Sequence, residues 1–466
     1  MWHSIGRTAL AQLQSLLRGF LQEGSCPFGS VLTVQDIVDL ISQECVETGE
    51  RLFTPLVTLC TFLSQIHSDD PSCRAAVARL NALRVAQGLR PGSPLTGGYC
   101  KARHRLPESL LQRLLWLSGQ RLQQPVPAAW HWHGRTVKIV DGAAVSMPDT
   151  EENQQAYPQP GSQALGVGFP VARIVVVLSL AWGAVFGAAL GRLKGKQTSE
   201  PMLFHTLHRH LERDDVVLAD RYYCSYWEIT LLGQRRIDVV MRLHQRRQVD
   251  FHQGRRLGRE DHVVTWTKPV RPAWMDEATY AVLPDTIEMR ELRVQVTQPG
   301  FRTRVVLVAT TLLDAQAFAK EELAALSRAR WHAELDLRSI KQTMQMDVLR
   351  CKTPAMVHKE IWAHLLMYNL IRATMAQAAL HHGVLPRQVS LQGARQTLAA
   401  FGSELEQASS TRREGVLPIV LTAIASHRVG TRPDRYEPRA CKRRPKPYPL
   451  LRVPRWQARA RLAQAA

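Results

Sequence analysis

At 466 residues the chain is long enough to bury a large core in two or three structural units. Its 60 basic against 40 acidic residues give a net charge of +20 and a pI near 10.1, which directs attention to a polyanionic partner, either nucleic acid or an anionic membrane surface. Eight scattered cysteines with no CxxC pair argue against a zinc ribbon, and no P-loop, GxGxxG or HExxH pattern marks a nucleotide fold or a zinc protease.

Residues 1–125 read as an all-helical domain. Apolar residues recur at helical spacing in Ile5–Leu21, Val34–Val46, Leu56–Ile66, Ala75–Leu89 and Leu110–Leu122, with Thr33 as N-cap of the second. The N-terminus lacks the apolar segment of a signal peptide, and the scattered thiols suit a reduced, cytoplasmic setting. Between the last two helices, Ser93–Pro107 reads as a loop holding Gly97, Gly98, Tyr99 and the cations Lys101, Arg103 and Arg105. It is either a phosphate-contacting loop or an ordinary connection.

An α/β regime begins near Trp130. Arg135–Val140 reads as a short strand ending on Asp141-Gly142. Ile174–Leu190 is uncharged for 17 residues, slightly short for a membrane span, and its Val run interrupted by Gly183 and Gly187 fits a buried hairpin. A helix at Pro201–Arg213 capped by Thr198 or Ser199 follows, with Glu200 complementing its dipole. Strand Val216–Ala219 ends on Asp220, and helix Tyr226–Gly233 and strand Asp238–Leu243 complete a β-β-β-α-β-α-β order. Acids thus close the first and fourth strands, where open α/β sheets place their chemistry. The pair His131 and His133 has metal-like spacing but no further ligands nearby, so it reads as structural.

Residues 244–302 break the alternation as a β-rich insertion, with an Arg-rich loop at His244–Asp261, strands at His262–Thr267 and Leu292–Thr297 and a turn at Pro299-Gly300. Strand Arg304–Thr311 returns to the core or closes the insertion. The segment Ser327–Lys341 then reads as one unbroken helix. At about 100° per residue, Arg330, Lys341, Glu334, Ser327 and Arg338 fall within about 80° of arc, so one carboxylate shares a face with three cations. Such a face is either solvated ion pairing or a metal-binding acid flanked by phosphate-gripping cations. A strongly amphipathic helix around Ile361–Met375 and helices over Arg387–Leu405 and Leu417–Ala425 follow. The tail Arg432–Arg461 carries 11 Lys/Arg against two acids, and reads as unfolded alone and attracted to phosphate.

Asp141, Asp220 and Glu334 are separated by 78 and 113 intervening residues. Gathered together, three carboxylates would select Mg²⁺ or Mn²⁺ over zinc, and a pair of such ions can clamp an in-line displacement at phosphorus. On a basic protein that chemistry is polynucleotide phosphoryl transfer. Arg330, Arg338 and Lys341 would hold backbone phosphates.

From about residue 30 to 400 the chain resembles the bacterial insertion-sequence DDE transposases of the IS-four family. Their final helix carries Tyr-x2-Arg-x3-Glu-x6-Lys, matched here by Arg330, Glu334 and Lys341, with Ser327 at the Tyr position. The first-acid pattern is matched by Val137–Gly142, the second by Leu218-Ala-Asp220-Arg221-Tyr222-Tyr223, and the following helix by Tyr368–Arg372. The resemblance implies an RNase H-like core (residues 126–243 and 303–400) interrupted by the insertion, and a C-terminal helical region with a basic tail (401–466). It implies Asp141, Asp220 and Glu334 as catalytic metal ligands, two Mg²⁺ or Mn²⁺ ions, and a homodimer on paired double-stranded DNA ends in the bacterial cytoplasm, at the nucleoid. The implied reactions are strand cleavage at the transposon ends and transfer of the freed 3′-hydroxyl into target DNA. DNA contacts would come from Arg330, Arg338, Lys341, Arg221, Tyr222, Lys101 and Arg103. An insertion aromatic, Trp266 or in reserve Trp274, would hold a flipped base or else sit in the core. The competing readings are a stand-alone nuclease of the same fold, for which the N-terminal region and tail would be surplus, and a binder that lost its chemistry, whose mark would be a missing acid.

Overall fold

The structure, a computed structural model, describes residues 31–45, 52–124, 126–295, 305–407, 410–430 and 448–465. The expected helix Ile5–Leu21 and the turn Pro299-Gly300 lie outside them. Five helices open the described chain: α1 (Val34–Glu44), α2 (Pro55–His67), α3 (Cys73–Ala86), α4 (Gly97–Arg105) and α5 (Glu108–Gln123). Thr33 caps α1 in a reciprocal box with Asp36, whose N–H donates to Thr33 Oγ1 at 3.1 Å. Asp36 also pairs with Arg121 of α5, Nη2 to Oδ1 at 2.6 Å, so the same acid starts one helix and ties it to another.

Helix α4 corrects the reading of Ser93–Pro107 as a loop. The two glycines suggested a turn, but Tyr99, Ala102, Arg103 and Leu106 follow at i, i+3, i+4 and i+7, and that stripe goes inward. Tyr99 is fully buried, its hydroxyl donating to Gln65 Oε1 at 2.7 Å.

A nine-stranded mixed sheet forms the centre, in spatial order β3-β2-β1-β4-β5-β9-β8-β7-β6. Its strands are β1 (Val137–Ser146), β2 (Val171–Ser179), β3 (Val185–Arg192), β4 (Val216–Ala219), β5 (Asp238–Arg242), β6 (Arg255–Gly258), β7 (Asp261–Thr267), β8 (Thr286–Gln295) and β9 (Val305–Thr310). Strands β1–β3 form an antiparallel meander, and β4 and β5 run parallel to β1. Short helices α6 (Glu151–Ala156), α7 (Glu200–His205), α8 (Tyr226–Gln234) and α9 (Glu277–Ala281) fill the connections. The uncharged stretch Ile174–Leu190 is indeed the β2–β3 hairpin, and Gly183, at φ +77°, supplies the left-handed residue of its turn.

Strand side chains alternate between two apolar layers, so both faces are covered. Ile139, Ile174, Val176, Val216 and Leu218 face a large core shared with α2, α5 and the long helix α12 (Pro354–His381). Val140, Val175, Val217 and Val239 face a second core with Phe204, Leu207 and Ile229. Helices α1, α2 and α5 thus contribute to the main core, whereas α3 and α4 pack in small clusters of their own around Leu80 and around Val77 and Tyr99. Helix α12, expected to be amphipathic, is buried on all sides over most of its length.

Helix α5 rests directly on β3. A Cβ on Gly119 would lie 2.8 Å from the Val185 carbonyl oxygen and 3.2 Å from Phe186 Cα. Because backbone cannot step aside, Gly119→Ala should destabilise the fold by about 1–3 kcal/mol in urea denaturation. A variant as stable as the parent would show that α5 can slide.

The insertion continues the core sheet. Strand β9 pairs with β5 on one side and β8 on the other, and β7 and β6 extend the edge. The Arg-rich loop contains β6, which sequence reading missed. The segment after β9 is not one helix: α10 (Lys320–Ala329) ends at Arg330, α11 (Trp331–Arg338) restarts, and Ser339–Thr343 is a π-helical turn. Helices α13 (Leu391–Gln407), α14 (Ser410–Ser426) and α15 (Arg455–Ala465) complete the chain. Residues 455–465 of the tail are thus helical, contrary to the expectation for the whole tail, and residues 431–447 lie outside the described residues. No helix of the described residues is long and apolar enough to cross a membrane.

Candidate active site

The first acid sits within a strand, not at its end. Strand β1 continues through Asp141 to Ser146 because β2 keeps pairing with it, Asp141 opposite Val176. On its other edge β1 pairs with β4 only over Val137–Ile139 against Val216–Leu218. Carrying that register two residues further sets Asp141 level with Asp220, which immediately follows the end of β4. The first two acids therefore both lie just beyond the point where the parallel pairing stops. Asp220 Oδ1 accepts the Arg221 N–H at 2.6 Å.

The third acid arrives from α11. Arg330, at the break between α10 and α11, places one guanidinium between two carboxylates: Nη1 is 3.4 Å from Asp141 Oδ2 and Nη2 is 3.0 Å from Glu334 Oε1. Asp141 Oδ1 also accepts the Gly142 N–H at 2.9 Å. Burial pushes the Asp141 carboxyl up to about 6; Arg330 and the Gly142 N–H oppose this, and the charges of Glu334 and Glu200 add to it.

Sequence reading missed a fourth carboxylate here. Glu200 does begin α7, but its carboxyl group also occupies the space a Gly142 side chain would fill, 2.6–2.9 Å from a Cβ built there. The Tyr223 hydroxyl donates to it at 3.3 Å, and Arg173 Nε lies 3.7 Å away. No spacing rule links positions 142 and 200; the contact is purely tertiary.

The donor set is all oxygen, which suits a hard divalent cation. Among the described residues, however, no three His, Cys, Asp or Glu side chains converge on one point that could hold a metal ion. Arg330 joins Asp141 to Glu334, and Asp220 is outside that bridge.

The other candidate residues divide by exposure. Arg338, Arg221, Tyr222 and Lys101 are exposed and Lys341 is half-buried, Arg338 bonding Gln342 and Arg221 bonding Gln245, each at 3.0 Å. Two candidates must be withdrawn. Arg103 is 8% exposed, its guanidinium 5.1 and 4.9 Å from the Phe62 and Tyr99 ring centres, so it belongs to the helical core. Trp266 is 3% exposed, its Nε1 donating to Glu291 at 2.8 Å and its ring covered by Arg247, so it is a core residue of the insertion with no face for a base. The reserve, Trp274, is half-buried against the His205 ring. His133 packs on Trp132 and Phe318 and lies 3.2 Å from Glu322, a structural setting.

The family described as Transposase DDE domain matches residues 132–370, which span β1 to the middle of α12 and contain all three acids. Transposase InsG for insertion sequence element IS4, from Escherichia coli (strain K12), is 30% identical over 361 residues, covering 75% of this chain and 77% of that protein. Among solved structures, the piggyBac transposase synaptic complex with hairpin DNA aligns over 88% of this chain and 85% of that one, at 10% identity and a TM-score of 0.43. Because the family match takes in more than half of the sequence and an insertion-sequence transposase is 30% identical over three quarters of it, the chain belongs to the IS-four family of DDE transposases.

Proposed function

We propose that the protein cleaves DNA at transposon ends and joins the freed 3′-hydroxyl to target DNA, using Asp141, Asp220 and Glu334 on an RNase H-like core. One observation carries the reading: Asp141 and Glu334, far apart in sequence, share the single guanidinium of Arg330, and Asp220 directly follows β4, the parallel neighbour of the strand that bears Asp141. In cleavage, a water oxygen bonds to phosphorus, the P–O3′ bond breaks and O3′ takes up a proton. In transfer, that 3′-oxygen attacks a target phosphate and a target P–O3′ bond breaks.

Asp141, Asp220 and Glu334 would hold Mg²⁺ or Mn²⁺, one ion or two, which when bound would activate the attacking oxygen and offset charge on the leaving one. Arg330 neutralises Asp141 and Glu334 and keeps their repulsion from splaying the site. Arg338, Lys341, Arg221, Tyr222 and Lys101 are the exposed or half-exposed groups proposed to meet the DNA backbone, and the helices of residues 1–125 to read the terminal repeats. Synapsis of two ends by a homodimer is part of the same proposal.

A supercoiled plasmid carrying paired ends tests this. Mg²⁺-dependent joined products that require both ends are expected; cutting indifferent to the ends would instead identify a stand-alone nuclease. Lys341→Ala should weaken end binding and make the plot of log affinity against log salt shallower by about one unit. An unchanged slope would remove Lys341 from the phosphate contacts.

A further inference from the structure

Two residues beyond Glu334, on the inner side of α11, Asp336 is 1% exposed and takes three donors. The Tyr368 hydroxyl donates to Oδ1 at 3.0 Å, Arg372 Nη2 donates to the same oxygen, and Arg387 Nη1 donates to Oδ2 at 2.5 Å. The group is interlinked: Arg372 Nε donates to Tyr368 at 2.8 Å, and Arg387 donates to the carbonyls of Leu180 at 2.8 Å and Ser179 at 2.7 Å. Gly183 lets Arg372 in, since a Cβ there would lie 2.9 Å from its Cζ.

A buried carboxylate with two guanidiniums is a costly way to gain stability, because apolar residues of similar volume usually do as well. Its distinctive property is direction. Helix α11 has eight residues, follows Arg330 without a side-chain cap and ends in a π-turn, so its orientation against the sheet is left to tertiary contacts. Ala333, Leu337 and Ile340 pack beneath it, but apolar contact is non-directional. Glu334, 41% exposed at its side chain, is bonded to Arg330 of its own segment. Asp336 ties the helix to fixed points on α12 and on the β2–β3 turn. Ser179, which accepts from Arg387, is the register partner of Lys138 on β1, three residues before Asp141.

We infer that the Asp336–Tyr368–Arg372–Arg387 group is the positioning device for Glu334, holding α11 at the rotation that presents this acid to Asp141 and Asp220. The inference rests on the proposed metal-dependent cleavage. None of the four side chains touches DNA or metal in this scheme; each acts through Glu334.

The test uses the full chain with Asp336→Asn, Asp336→Glu and Arg387→Gln. It reads plasmid cleavage against Mg²⁺ concentration, end binding by gel shift, and the Mn²⁺-induced shift in Tm without DNA. Asp336→Asn should need more Mg²⁺ and lose about 10–100-fold in cleavage, as outer-shell changes at metal sites do, while end binding persists. Its Mn²⁺-induced shift should shrink toward that of Glu334→Gln, and Asp336→Glu, which keeps the charge, should recover part of the loss. Parental Mg²⁺ dependence in a folded Asp336→Asn overturns the inference. If that variant fails to fold, Arg387→Gln, which leaves the Arg372 pair intact, decides by the same criteria. If the parent cuts no DNA, the proposed function fails separately, and the Mn²⁺ shift alone judges the positioning group: an unchanged or absent shift overturns it.

Discussion

Asp141→Asn, Asp220→Asn and Glu334→Gln should each reduce strand cleavage by about a thousandfold or more, the order expected when several kcal/mol of charge stabilisation are lost at the reacting phosphate. Binding to terminal-repeat DNA should persist, because each change removes a negative charge from a basic surface. The three variants need not behave alike in folding. Asp141 is the acid whose ionisation burial opposes, so the neutral amide suits its pocket, although the partner of Arg330 Nη1 is weakened. Glu334 is more exposed and replaces its ion pair with water at little cost. Mg²⁺-dependent cleavage at the parental rate by any one of the three would remove that residue from the assigned set.

Asp261→Ala should destabilise the protein by about 3–5 kcal/mol, the usual cost of stripping the partner from a buried charge. Asp261 on β7 receives Arg290 of β8 in a bidentate pair, Nε to Oδ1 at 2.8 Å and Nη2 to Oδ2 at 2.6 Å, and both side chains are almost wholly buried. Arg290 Nη1 also donates to the Phe318 carbonyl at 2.7 Å, just before α10. The pair thus anchors the insertion to the approach of the segment bearing Glu334. Urea denaturation of Asp261→Ala and of Asp261→Ala/Arg290→Met distinguishes charge from shape. The double variant should recover most of the loss, since no charge is left buried. A single-variant loss below about 1 kcal/mol would mean that water reaches the guanidinium.

Much of this architecture was legible because local pattern and tertiary fate agree. Strand β4 was read residue for residue, since Val216–Ala219 is a four-residue apolar run set between polar groups. The β2–β3 hairpin announced itself through its valines and Gly183. The interruption at Arg330 was invisible, because no Gly or Pro lies between Ser327 and Lys341 and Arg330 itself keeps helical backbone angles. Arg103 and Trp266 were misjudged because composition suggested contact surfaces where neighbouring apolar residues turn the side chain inward. Glu200 and Asp336 were overlooked for a different reason. Glu200 acts on Asp141, 59 positions away, and Asp336 through Tyr368, Arg372 and Arg387, 32, 36 and 51 positions away, and no local pattern encodes such a pairing.

The continuity of the hydrophobic interior from Val31 to Ala425 bears on how such an enzyme could change its DNA preference. Two proteins of this design cannot trade helices α1, α2 and α5 like cassettes, because the exchanged helices would have to complete a foreign sheet's interior. New specificity would have to arise by substitution on outward-facing positions, one side chain at a time, with the scaffold beneath left untouched.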